Sequence, residues 1–250
     1  ITLTPDLEIP FFACVSGPNE DADLGTCTYT VQGNQYDPIG AEDNCGIASI
    51  INDYNNTSTL AGEPFTDGTA VTWTVTDVNG NFGQCNFIMT VEDAQNPVAA
   101  CQGITVQLDA SGMASITPGD IDDGSTDNCG IDNLSLDISS FTCANVGANT
   151  VTLTVTDAAG NDDTCTAIVT VEDNVAPFAL CQDITLQLDS TGNATILADD
   201  IDNGSNDACG IASLSIAPGS FSCSELGANT VTLTVTDNNG NVSICTATVT

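Results

Sequence analysis

The 250-residue sequence predicts an all-β protein, built as tandem antiparallel β-sandwiches and stapled by disulfides. Three observations carry this. The stretch GANTVTLTVTDAAGNDDTC at 147–165 returns 80 residues later, at 227–245, as GANTVTLTVTDNNGNVSIC, and a looser copy, DGTAVTWTVTDVNGNFGQC, stands at 67–85. Within it Val151, Leu153 and Val155 alternate with Thr150, Thr152, Thr154 and Thr156, a period of two that gives one apolar face and one hydroxyl face. Twelve cysteines fall four to a repeat, which reads as disulfides in an oxidising compartment; a zinc site is disfavoured because no Cys-x-x-Cys pair occurs.

Taken in order, the chain divides into the end of a preceding repeat (1–4), a divergent first repeat (5–93), a second (94–173) and a third (174–250). The first four residues match the strand end at 168–171, so the chain reads as part of a longer array. The joints Val91-Glu92-Asp93 and Val171-Glu172-Asp173 are each followed by a proline, Pro97 or Pro177, which cannot continue a strand ladder. In the second repeat the pattern predicts strands at 104–108, 113–116, 134–138, 149–157 and 163–171 and no helical stripe, the spacing of a sandwich of about 80 residues. Asp157 opens the turn of the hairpin, through Gly160 and Asn161. Trp73 takes the place of Leu153 and Leu233 and is expected in the core.

Composition excludes much. The chain holds 34 acids and no Lys, Arg or His, for a net charge of −34. Nucleic acid needs cations against phosphate, and anionic membranes need the same, so neither is a partner; no apolar run is long enough for membrane insertion. Imidazole and amine chemistry is missing, and one Trp with three Tyr cannot line a sugar-cleaving cleft, so catalysis is not expected. Cations could be held only by oxygen, a ligand set suited to Ca²⁺.

The sequence permits three cysteine connectivities per repeat. Three positions persist in every repeat; the fourth lies before the middle one in repeat one (Cys27) and after it in the others (Cys143, Cys223). A moving cysteine needs a partner reachable from both sides, and the middle one fits best, which predicts Cys27–Cys45, Cys129–Cys143 and Cys209–Cys223. The first and last then pair: Cys14–Cys85, Cys101–Cys165 and Cys181–Cys245.

The acids cluster in GDIDDGSTDNCG (119–130) and ADDIDNGSNDACG (198–210). A sandwich brings this loop to the end that also carries the hairpin turn and the preceding linker. Glu92 and Asp93 are therefore expected near Asp122, Asp127 and Asp157, and Glu172 and Asp173 near Asp202, Asp207 and Asp237. Carboxylates gathered without a cation repel, and a structural Ca²⁺ wanting six to eight oxygens would offset this. The plainer alternative is that the loops are solvated and that Asp157 and Asp237 only cap their turns.

At 127–130 (DNCG), 147–157, Gly160-Asn161, Cys165 and 171–173 (VED) the sequence resembles the hyalin repeat (HYR) family, and the likeness covers all three repeats. The resemblance implies an immunoglobulin-like fold and a role in extracellular adhesion. The acidic, Thr- and Asn-rich composition is similar to giant secreted or cell-surface adhesins of Bacteroidota, including gliding-motility adhesins exported by type IX secretion. The expected role is a cell-surface stalk whose partners are the neighbouring repeats of the same chain, with cell-surface or substratum glycans, or other copies of itself, as further candidates. The alternative is the subunit of an extracellular filament.

Overall fold

The computed structural model describes residues 4–250; the expected end of a preceding repeat falls mostly on residues 1–3, outside that range. The chain is all-β. By contacts it forms two compact units, Ile1–Ala99 with Ser125–Leu134 and Thr154–Thr164, and Ala100–Gly124 with Ser135–Leu153 and Cys165–Thr250.

In the first unit, the strand Thr69–Asp77 pairs antiparallel with Phe82–Glu92 on one side and Ile47–Asn52 on the other, while Asn19–Asp21 runs parallel to Phe82–Glu92. Tyr29–Thr30 pairs with Pro64–Phe65. The alternation in the sequence becomes alternation in burial: Val71, Trp73 and Val75 are fully buried, and the intervening threonines are half-buried. Trp73 packs among Val31, Tyr36, Leu60, Phe65, Phe87 and Met89. Its indole N–H donates to the Tyr36 carbonyl at 3.1 Å, so the ring is buried without an orphaned donor.

In the second unit the pattern returns. Asn229–Asp237 pairs with Val242–Val249 and Ile211–Ala217, and Ile184 bridges parallel to Val249. The short strand Asn193–Thr195 pairs with Ser220–Ser222, as Met113–Ser115 does with Ser140–Thr142. The third-repeat core gathers Ile196, Ile201, Phe221, Val231, Leu233 and Val249. Burying one such aliphatic side chain is worth about 1.5–3 kcal/mol.

In the second repeat the strands follow the order Ile131–Leu136, Gly147–Asp157, Asp162–Glu172, Ile104–Gln107, the last joined in parallel. The third, fifth and sixth strands of the repeat thus share one sheet, as strands C, F and G do in the immunoglobulin fold. Two features escape the sequence pattern. Ser140–Thr142 is a three-residue strand around the buried Phe141, and the acidic segment contains a single helical turn, Pro118–Ile121, matched by Ala198–Ile201. Asp120 starts that turn by accepting from the Thr117 N–H and hydroxyl, both at 2.7 Å, and Asp200 does so from the Leu197 N–H at 2.8 Å. Two of the clustered acids therefore serve as helix caps.

The structure bonds Cys14 to Cys85, Cys101 to Cys165 and Cys181 to Cys245, the first-to-last pairs named above. The other three expected pairs are overturned. Cys27 bonds Cys129, not Cys45; Cys143 bonds Cys209, so neither Cys129–Cys143 nor Cys209–Cys223 forms; Cys45 and Cys223 are free. The reason lies in how the loops dock. The turn carrying Cys27 receives the Gln95 side chain, whose Oε1 accepts the Gly25 N–H at 2.7 Å, and Asn128 donates to the Thr26 carbonyl at 2.8 Å. That turn is held against the joint and the Asp-Asn-Cys loop of the following repeat. Cys143 faces the following repeat through Gly112, where a Cβ would stand 2.7 Å from the Cys143 sulfur and 3.2 Å from the Ala208 side chain. The moving cysteine reaches forward along the array.

Candidate metal centre and inter-repeat joints

Each repeat ends its long hairpin with Asp-x-x-Gly-Asn, and the aspartate organises the turn. Asp157 Oδ1 accepts the N–H groups of Ala159, Gly160 and Asn161 at 2.7–2.9 Å, and Oδ2 accepts the Asn161 amide at 2.8 Å. Asp77 and Asp237 bind their turns in the same way. All three are buried. Burial pushes each carboxyl up, but the asparagine side chain and the turn N–H groups outweigh it and hold each below the ordinary aspartate value. The asparagine amide also reaches the linker: Asn161 donates to the Asp93 and Gln95 carbonyls, both at 3.1 Å, Asn241 to Asp173 at 3.0 Å and Asn81 to Asp6 at 3.2 Å. The turn and the joint are one hydrogen-bonded assembly.

Among the described residues, three acidic clusters sit at these joints. In the first unit Asp93, Asp127 and Asp157 bring ligand atoms within 4.8 Å of one another, as do Asp6, Asp43 and Cys45; in the second unit the group is Asp173, Asp207 and Cys209. Asp127 accepts the Cys129 and Gly130 N–H groups through Oδ2, which leaves Oδ1 buried with no partner. Asp93 Oδ2 and Asp173 Oδ2 are likewise buried and unpartnered. Two carboxylate oxygens within 4.8 Å of each other repel by at least about 3.5 kcal/mol at an effective dielectric of 20. Oxygens that are both crowded and unsatisfied fit a hard cation. Sulfur would not help at Cys209, which is bonded to Cys143.

Of the ten acids expected at such sites, the structure gathers Asp93, Asp127 and Asp157 in one group and Asp173 with Asp207 in another. The other five have separate duties. Glu92 accepts from Asn19 at 2.8 Å and Glu172 from Gln107 at 2.7 Å, each beside the parallel strand pair. Asp122 accepts the Gly124 N–H at 3.3 Å, Asp202 accepts that of Ser205 at 3.0 Å, and Asp237 holds its turn. Sequence reasoning missed the Asp6–Asp43 group because the first joint lacks Val-Glu-Asp. Asp43 could have been found, since it opens the same Asp-Asn-Cys-Gly as Asp127. There the Asp6 carboxylate, as the main cause, pushes the Cys45 thiol above its ordinary value.

The strand order and the disulfides define an immunoglobulin-like β-sandwich. Residues 5–91 match the HYR domain family. No curated protein matches the chain. Among solved structures, the chain resembles Sidekick-1 immunoglobulin domains 1–5 at 10% identity and a TM-score of 0.45, covering 98% of this chain and 60% of that one. It also resembles the titin I-band fragment I67–I69 at 11% identity, TM-score 0.36, over 98% and 99% of the two chains. A third likeness is PcdhgB3 EC1-4, at 14% identity, TM-score 0.35, over 96% and 75%. The chain thus spans about three-fifths of the Sidekick-1 chain. No helix among the described residues is long and apolar enough to cross a membrane.

Proposed function

We propose that the chain is a stalk segment of a large extracellular adhesion protein, with Ca²⁺ held at the joints between repeats. Asp93, Asp127 and Asp157 would hold one ion and Asp173 with Asp207 another, water and backbone carbonyls completing the oxygen set. When bound, the ion supplies positive charge that the sequence lacks altogether. The chain's own part is to present linker, loop and turn carboxylates together. The carrying observation is the pair of buried, unpartnered oxygens on Asp93 and Asp127 within a three-carboxylate cluster. The five disulfides and the HYR match of residues 5–91 support an oxidising, extracellular setting.

Calorimetric titration of chelator-treated protein with CaCl₂ tests the ion. Saturable heat and a raised melting temperature are expected, both reduced in Asp127→Asn. Absence of heat together with an unchanged melting temperature would remove calcium from the account.

A further inference from the structure

One carboxylate of the joints combines burial with an open valence. Asp173 is only 6% exposed, and its Oδ2 has no hydrogen-bond partner. It belongs to a group with Asp207 and Cys209 whose ligand atoms, the Cys209 sulfur included, all lie within 4.8 Å of one another. That sulfur is bonded to Cys143, so it has no proton to donate. A buried carboxylate oxygen without a donor is costly, and a divalent cation satisfies it.

The same constellation occurs a second time with a thiol in it. Asp6, Asp43 and Cys45 are grouped as Asp173, Asp207 and Cys209 are. Asp43 accepts the Cys45 N–H at 2.8 Å, and Asp207 accepts that of Cys209 at 2.7 Å. Asp6 Oδ1 accepts the Glu8 N–H and Asp173 Oδ1 the Val175 N–H, both at 3.1 Å. The backbone carbonyls of Asp6 and Asp173 take the turn asparagines Asn81 and Asn241 at 3.2 and 3.0 Å. The difference is at sulfur. Cys45 is a free thiol, and its S–H donates to the Asp6 carboxylate, whose Oδ2 also accepts the Asn79 amide at 3.0 Å. Asp173 has a buried oxygen without a partner, and Asp6 has none. A thiol at this place occupies the carboxylate; a disulfide leaves it open.

We propose that the Cys143–Cys209 disulfide gates the cation site at Asp173 and Asp207. Intact, it leaves the carboxylates to Ca²⁺; cut, it frees a Cys209 thiol that donates to Asp173 and displaces the ion. The inference rests on the calcium reading above and names what regulates one of its sites. The reductant is a dithiol. One of its thiolates attacks the Cys143 sulfur, the Cys143–Cys209 bond breaks, and Cys209 leaves as a thiolate. The second thiolate of the reductant attacks the mixed disulfide and releases Cys143. The dithiol ends as a disulfide, and its two protons end on Cys143 and Cys209. Binding and reduction oppose each other reciprocally, so the ion also protects the bond. The group of Asp93, Asp127 and Asp157 consists of carboxylates alone, so its ion stays outside the gate.

The test is calorimetric titration of three chelator-treated chains with CaCl₂, each carrying Cys223→Ala so that Cys209 meets no other free thiol in its repeat. The first keeps the disulfide, the second adds Cys143→Ala, and the third adds Cys143→Ala with Cys209→Ala. The first should bind at both groups. The second should bind the ion at Asp173 and Asp207 more weakly by about tenfold or more, the effect of a hydrogen bond to a charged group. The third has neither crosslink nor thiol and should recover most of that affinity. Equal affinities in the second and third chains, whether both strong or both weak, would overturn the gate and leave calcium standing. A first chain that binds no Ca²⁺ would overturn the calcium reading, and the gate with it. Saturating Ca²⁺ should also raise the dithiol-to-disulfide ratio that half-reduces Cys143–Cys209, read by alkylation and mass spectrometry. An unchanged ratio in a chain that binds Ca²⁺ would likewise overturn the gate.

Discussion

Trp73 shows what one residue decides. It fills, at no exposure, the position held by Leu153 and Leu233, and it is the sole tryptophan. Replacing it with alanine leaves a cavity in a core of Leu60, Phe65 and Met89. The expected loss is about 3–5 kcal/mol, read as a lower urea midpoint by circular dichroism, since the fluorescence probe goes with the residue. Asp127 decides something different. One of its oxygens holds the Cys129 loop while the other is buried and unpartnered. Asp127→Asn keeps the volume but reduces the charge of the cluster. It should weaken calcium binding at least tenfold in calorimetry while leaving the Cys27–Cys129 bond in place.

At the scale of the element, the Asp-x-x-Gly-Asn turn links hairpin to joint, and its aspartate makes it sensitive to pH. Asp237 is held below the ordinary value when folded, so the unfolded chain protonates first as pH falls. Its contribution to stability is full above the unfolded pKa of about 3.9 and is lost as pH drops through the lowered folded value. The gap in urea midpoint between wild type and Asp237→Asn should be widest above about pH 5 and narrow toward pH 2. Comparing the two removes the background from the other 33 acids, whose repulsion eases over the same range. The long hairpin strands were legible because nine to eleven residues of Thr-apolar alternation outlast any accident of composition. Ser140–Thr142 and the turn Pro118–Ile121 were not, because three or four residues are too short to show a period. The caps that Asp120 and Asp200 provide were hidden for the same reason: they become visible only once the turn is seen.

At the scale of the whole molecule, the first-to-last disulfides were legible because both cysteines recur in every repeat. The forward-reaching ones were not, because closure within a repeat and closure onto the next give the same count per repeat. Only the docking of the Cys27 turn on Gln95 and Asn128 separates the two. The consequence is mechanical. Bonds spanning 102 and 66 residues join consecutive repeats, so a pull along the chain is carried partly by sulfur. Each such crosslink restricts the unfolded chain by about 4 kcal/mol, and replacing Cys27 and Cys129 together by serine should lower the melting temperature while Cys14–Cys85 remains intact. Disulfide mapping of unreduced protein cleaved before aspartate tests this covalent joining of repeats most directly. Peptide 23–36 should be found linked to 127–131, and peptide 137–156 linked to 207–236. Peptide 23–36 linked instead to 43–52, or 207–236 closed on itself, would contradict it.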